Sequence, residues 1–162
     1  MRIEFRKLSD DQHELAIVRA NGAPESVVCE TRSTLAHDLL HYAVEAEAGL
    51  AGGFWARLAA GRTLAEMNDR GGGMGAGAGD AAAAAELAAI ERLVGALHRV
   101  TKGQAAGDLV AGLRRFAASL GTTIPPWLTE PLVEAVEGRM RRLVGRWRAT
   151  RHGEAMDLDW PA

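Results

Sequence analysis

Between residues 33 and 45 the chain reads STLAHDLLHYAVE, which sets His37, Asp38, His41 and Glu45 among apolar neighbours. Imidazoles four residues apart share one side of an α-helix, the spacing at which two of them can hold a single metal ion. A divalent metal is therefore the cofactor this pattern would take, with His37 and His41 as ligands. Asp38 and Glu45 are candidates to move a proton or orient a ligand. Glu45 lies two turns, about 12 Å, from His37 along a helix axis, too far to join both imidazoles on one ion easily. A third ligand must come from elsewhere in the fold, and His98 or a carboxylate would serve.

The helix that carries these groups is mostly apolar. At about 100° per residue, Leu35, Ala36, Leu39, Tyr42, Ala43, Ala46 and Leu50 cover an arc of roughly 120°, which Leu40 and Val44 widen. His37, His41, Thr34, Asp38 and Glu45 fill the remaining stripe. Such a stripe faces either bulk water or a cleft, and it holds four ionisable groups with no lysine or arginine among them. The plainer alternative is a helix surface steadied by His41 with Glu45 and by Asp38 with His41. The spacing is that of the HExxH helix of zinc peptidases, but Asp38 occupies the position of that motif's glutamate and is one methylene shorter. This argues against a peptidase. The His-Asp doublet is similar to that of HD-type phosphohydrolases, whose further histidine and aspartate motifs are not recognisable in the chain.

HDLLHYAVE followed by GGFW resembles a pattern in a group of uncharacterised bacterial proteins, to which no activity attaches. The resemblance covers about 25 residues. It implies that the histidine helix and the Phe54/Trp55 segment belong together as walls of one pocket, with Phe54 and Trp55 as binding residues. The alternative for both aromatics is core packing.

The elements that must position these groups follow from hydropathy. Residues 2–8, 13–20 and 26–30 are short runs rich in β-branched and large apolar residues, separated by SDDQ and NGAPE, and read as an antiparallel meander. Near the end, Met156, Leu158 and Trp160 alternate with Asp157 and Asp159, a period-2 pattern that predicts a strand returning to the same sheet. Between lie about four to five helices. The first runs from a cap at Ser33 or Thr34 to about Ala48, stopped by Gly49. GGFWARLAAG makes a short helix, and Thr63 with Glu66 forms a capping box that begins a short turn. Asp80 caps a helix carrying Leu87, Ile90, Val94 and Leu97, stopped near Lys102 and Gly103. The next buries Leu109, Val110, Leu113, Phe116, Ala117 and Leu120. Thr129 caps the last, about 130–150, whose buried stripe is Leu132, Val133, Val136, Met140, Leu143, Val144 and Trp147. The predicted fold is α+β, a small antiparallel sheet packed against helices. A single domain spans 1–162, with a flexible glycine-rich loop at 70–80.

Composition narrows the function classes. A hydrophobic content of 48% with 25% charged residues fits an ordinary globular protein, and no run reaches the roughly 20 apolar residues of a membrane span. No apolar leader follows Met1, which makes the cytoplasm the expected location. The single cysteine, Cys29, rules out an internal disulfide and cysteine-pair zinc sites and reads as a small core residue. A net charge of −2 supplies no general field for nucleic acid. Arg139, Arg142 and Arg146 fall on one flank of the last helix and Arg141 and Arg148 on the other, more like rims over a core than one phosphate-binding patch. GMGAGA at 73–78 satisfies G-x-G-x-x-A but follows no strand, so it does not read as a dinucleotide fingerprint. Two readings result. One is an intracellular binding or regulatory module using the polar stripe of helix 34–48 toward a protein or small molecule, with homo-oligomerisation open to its long apolar stripes. The other is a metal-dependent hydrolase with His37 and His41 as ligands. A third ligand within coordination range of both imidazoles separates them.

Overall fold

The computed structural model describes residues 1–20, 22–68, 81–100 and 105–160. The meander forms as its hydropathy predicts, with β1 (Arg2–Lys7), β2 (Gln12–Val18) and β3 (Glu25–Glu30). β4 (Ala155–Asp159) returns to the free edge of β1, giving an antiparallel sheet ordered β3-β2-β1-β4. The register aligns Ile3 with Ile17 and Leu158, and Phe5 with Leu15 and Met156. All of these side chains are buried on one face, because alternation places every second residue there. His13 belongs to the same face and is fully buried, its ring against those of Phe5 and Trp147.

This α+β fold has six helices among the described residues, α1 (Ala36–Ala48), α2 (Phe54–Ala59), α3 (Leu64–Asn68), α4 (Ala81–Val100), α5 (Ala106–Ser119) and α6 (Glu130–Ala149), of which α1, α2 and α6 reach the sheet while α4 packs on α1 and α5 on α6. α1 is the central one, and every residue from Leu39 to Glu45 is buried. It packs on α6 and α4, and Tyr42 Oη donates to Asp159 O at 2.9 Å, fixing the helix to β4. Gly49 adopts the left-handed conformation (φ 63°), and its N–H donates to Glu45 O, closing α1 where the glycine was expected to.

The start of α1 differs from the expected cap at Ser33 or Thr34. The chain coils from Thr31 in a π-helical turn, Thr31–Leu35, that runs into α1. Its first amide is satisfied by the β hairpin, since Thr31 N–H donates to Asp11 O at 2.8 Å. Ser33 and Thr34 instead donate their hydroxyls back to Glu30, at 2.7 Å to Oε2 and 2.8 Å to the carbonyl oxygen. The caps at Thr63 and Thr129 form as read. Thr63 and Glu66 exchange bonds at the head of α3, and Thr129 Oγ1 accepts from Leu132 N.

α5 departs from its predicted face. Leu109, Val110 and Ala117 are buried, but Phe116 is 62% and Leu120 63% exposed. Phe116 lies on the edge of the face turned toward α6, and Leu120 is the residue at which the helix ends. Of the α4 stripe, Ile90, Val94 and Leu97 are buried together with Leu93. Val133, Val136, Met140, Leu143 and Trp147 of α6 are buried, with Leu132 and Val144 partly so. The arginines rim this helix. Arg139 pairs with Glu47 at 2.6 Å over the Tyr42 ring, and Arg146 donates to Asp157 O. Cys29 is half-buried against the core; burial pushes its thiol pKa up, and the charge of Asp38 adds to this. The glycine-rich loop expected at 70–80, the Asp80 cap and the Lys102–Gly103 stop lie outside the described residues. No helix of the described residues is long and apolar enough to cross a membrane.

Candidate metal centre in the α1–α4 seam

The polar stripe of α1 faces α4 rather than bulk water. His41 is buried, while the His37 side chain, one turn earlier, is 42% exposed. Their rings stand 4.6 Å apart between centroids. From α4, Glu91 reaches across with Oε1 3.3 Å from His41 Nε2 and Oε2 3.9 Å from His37 Nε2. One donor atom from each of His37, His41 and Glu91 lies within 4.8 Å of the others. A tetrahedral ion with bonds of about 2.0–2.2 Å keeps its ligand atoms about 3.3–3.6 Å apart, so slight side-chain adjustment brings all three onto one ion.

The remaining ring nitrogens are held from behind. His41 Nδ1 stands 3.2 Å from Glu45 Oε1, and His37 Nδ1 stands 3.4 Å from Asp38 Oδ1. With Nδ1–H donated to a carboxylate, each ring turns its Nε2 toward Glu91. Carboxylate–histidine–metal triads are built in this way, the outer carboxylate fixing tautomer and ring orientation. His41 Nε2 itself is buried and makes no hydrogen bond of acceptable geometry, despite the short approach of Glu91. A buried polar atom in that state is costly unless something else satisfies it.

Glu45 is tied to a second element. Its Oε1 and Oε2 accept from the backbone N–H groups of Phe54 and Trp55, both at 2.9 Å, so this buried carboxylate caps α2 while it orients His41. Gly53 just before α2 leaves the room, since a Cβ there would overlap the Glu45 carboxyl group. The HDLLHYAVE and GGFW segments are therefore physically joined, through one carboxylate and one glycine. Phe54 is half-buried with its ring 6.4 Å from that of His41. Trp55 points the other way, fully buried against Phe5 and Tyr42, and offers no surface to a ligand.

The field in the seam favours positive charge. Burial opposes protonation of His41, but the neighbouring carboxylates of Glu45 and Glu91 outweigh it and raise its pKa to about 9. Without a metal the ring is an imidazolium between two carboxylates, and a cation at Nε2 would meet the same field. The Glu91 side chain is 52% exposed, so together with His37 it opens one side of the seam to solvent. Sequence reasoning placed the two histidines and required a third ligand without identifying Glu91. The available signal was that Glu91 and His98 stand seven residues apart, two turns along one face of a predicted helix. Compared with known protein families, curated proteins and solved structures, the chain matches none.

Proposed function

We propose that this is a divalent-metal protein whose ion sits in the α1–α4 seam on His37 Nε2, His41 Nε2 and the Glu91 carboxylate. The observation that carries the reading is the doubled arrangement in which each imidazole backs its Nδ1 onto a carboxylate and turns its Nε2 toward Glu91. Two histidines and one glutamate leave a coordination position for water or substrate, and the exposed sides of His37 and Glu91 put that position at the surface. The reaction class suited to it is metal-assisted hydrolysis of a small molecule, with the ion polarising the substrate and lowering the pKa of bound water. Asp38 and Glu45 act here as positioning groups, because their oxygens are engaged with the Nδ1 side of the rings and, for Glu45, with the start of α2. The working compartment in this reading is the cell interior.

The rival, a binding or regulatory module that uses the same stripe without a metal, makes the opposite prediction in one experiment. Protein stripped with EDTA is titrated with zinc, nickel or manganese while its melting temperature is followed. At a hundredfold excess over Kd, the ion stabilises the native state by about 2.7 kcal/mol, a rise of roughly 5–10 °C. His41→Ala and Glu91→Gln abolish the rise. A native protein unmoved by all three ions discards the metal reading and leaves the rival.

A further inference from the structure

The two edges of the sheet are finished differently. Along β4, Asp157 O accepts from Arg146 and Asp159 O from Tyr42 Oη, so side chains of α6 and α1 cover its outward carbonyl groups. β3 forms the opposite edge. Thr31 N–H donates to Asp11 O, and counting back along the register from that bond turns the main-chain groups of Cys29, Val27 and Glu25 toward β2 and those of Val28 and Ser26 outward. Among the described residues nothing hydrogen-bonds to the N–H or C=O of Ser26 or Val28. Exposed edges are commonly blunted by lysine, proline or a bulge. β3 has no lysine or proline, and its pairing with β2 runs unbroken from Glu25 to Glu30. At its middle Val28 is 55% exposed, between Ser26 and Glu30 on the same face.

We infer that β3 is a self-pairing edge: a second copy of this chain lays its own β3 antiparallel alongside, about a two-fold axis through Val28, and the two sheets become one. The inference is independent of the metal reading, whose site lies in the α1–α4 seam. A two-fold axis perpendicular to the sheet pairs outward residues with outward residues, which keeps Glu25 from facing Glu30 of the other copy. With the axis at Val28, that residue exchanges both main-chain bonds with its counterpart, and Glu30 N–H of each copy donates to Ser26 O of the other. The side chains match in this register. Val28 meets Val28, Val27 meets Cys29, and Glu30 faces the Ser26 hydroxyl, so no like charges stand opposite one another. Glu25 falls opposite Thr31, and its carboxylate is already held by Arg19 and Leu64 N–H. Moving the axis to Val27 or Cys29 sets Val28 against Ser26 or Glu30 instead.

Sedimentation velocity from micromolar to millimolar protein, in EDTA and reductant, provides the test. Native protein is expected to pass from monomer to dimer. Val28→Pro removes an outward N–H without touching the ladder to β2, a change that an edge strand tolerates, and is expected to stay monomeric. Val28→Lys sets two ammonium groups opposite each other on an exposed face and weakens the dimer roughly tenfold, while Val28→Thr, still β-branched, retains it. Thermal melts show which variants are folded; if Val28→Pro is not, Val28→Lys decides. Val27→Cys reports the register, because it places a thiol opposite Cys29 of the other copy in a non-hydrogen-bonded pair, where the Cα separation suits a disulfide. Mild oxidation then links the copies, and adding Cys29→Ser abolishes the link. Native protein that is monomeric at millimolar concentration overturns the inference. A dimer undiminished in Val28→Lys overturns it by placing the interface elsewhere, and a cross-link that survives Cys29→Ser overturns the axis at Val28.

Discussion

Gly53 and Glu45 occupy one another's space: the carboxyl group of Glu45 lies where any side chain on Gly53 would begin. That close approach lets the carboxylate reach the amides of Phe54 and Trp55 while it holds His41 Nδ1. Gly53→Ala is therefore expected to destabilise the protein by about 2 kcal/mol through overpacking of a buried site. It is also expected to weaken zinc binding roughly tenfold, because His41 loses its orienting partner. Thermal melts in EDTA and zinc calorimetry measure the two effects separately. Unchanged values for both would mean that the contact is not tight.

Asp38 backs His37 as Glu45 backs His41, but it lies nearer the surface and caps no helix. Asp38→Asn is expected to lower zinc affinity roughly tenfold while changing metal-free stability by less than about 1 kcal/mol. Calorimetric titration with zinc beside a urea melt gives both numbers. Equal zinc affinity in variant and native protein would remove Asp38 from the site.

Two buried histidines give the metal-free protein opposite pH dependences. The folded pKa of His41, about 9, stands above the 6.5 of an unperturbed ring. Its contribution is thus complete below about pH 6.5 and is lost as pH rises through about 9. Burial holds the pKa of His13 below 6.5, partly opposed by Asp38. Its contribution is present above about pH 6.5 and is lost as pH falls from there through the lowered value. Urea midpoints in EDTA should fall on both sides of neutrality. His41→Gln flattens the alkaline side and His13→Gln the acid side. An alkaline slope that persists in His41→Gln would assign it to another group.

The exposed end of α5 makes a prediction about the fold alone. Phe116→Ser and Leu120→Gln should each change stability by no more than about 0.5 kcal/mol, as surface substitutions do. Leu109→Ala on the buried side of the same helix should cost about 3 kcal/mol. Chemical denaturation of the three variants checks the assignment, and a loss above 2 kcal/mol at Phe116 would place that ring in a core.

Strand alternation made the sheet legible before any coordinates, because Ile3, Phe5, Leu15, Ile17, Met156 and Leu158 sit at every second position and the turns between the strands are short and polar. Local chemistry revealed the caps at Thr63 and Thr129 and the stop at Gly49 in the same way. What local pattern does not contain is which helix packs on which. Glu91 joins His37 and His41 only because α4 lies along α1, and one carboxylate among the many along the chain gives no sign of that. Phe116 and Leu120 follow helical spacing as faithfully as Leu109 does, yet both stand exposed near the end of α5. The start of α1 was misread because Ser33 and Thr34 are good caps by type, while the hairpin had already supplied the acceptor at Asp11.

The wide turn at Thr31–Leu35 has a consequence for how this chain tolerates insertions and deletions. A π-turn accommodates one residue more than the α-helix it interrupts, so it works as a phase adjuster between a strand whose direction is set by the sheet and a helix whose rotation is set by its neighbours. Removing a single residue there would let the coil close to ordinary pitch while Thr31 stayed pinned to the hairpin. Because the wider turn absorbs its extra residue, α1 would keep its rotation, whereas the same deletion between His37 and His41 would turn His41 by about 100° relative to His37.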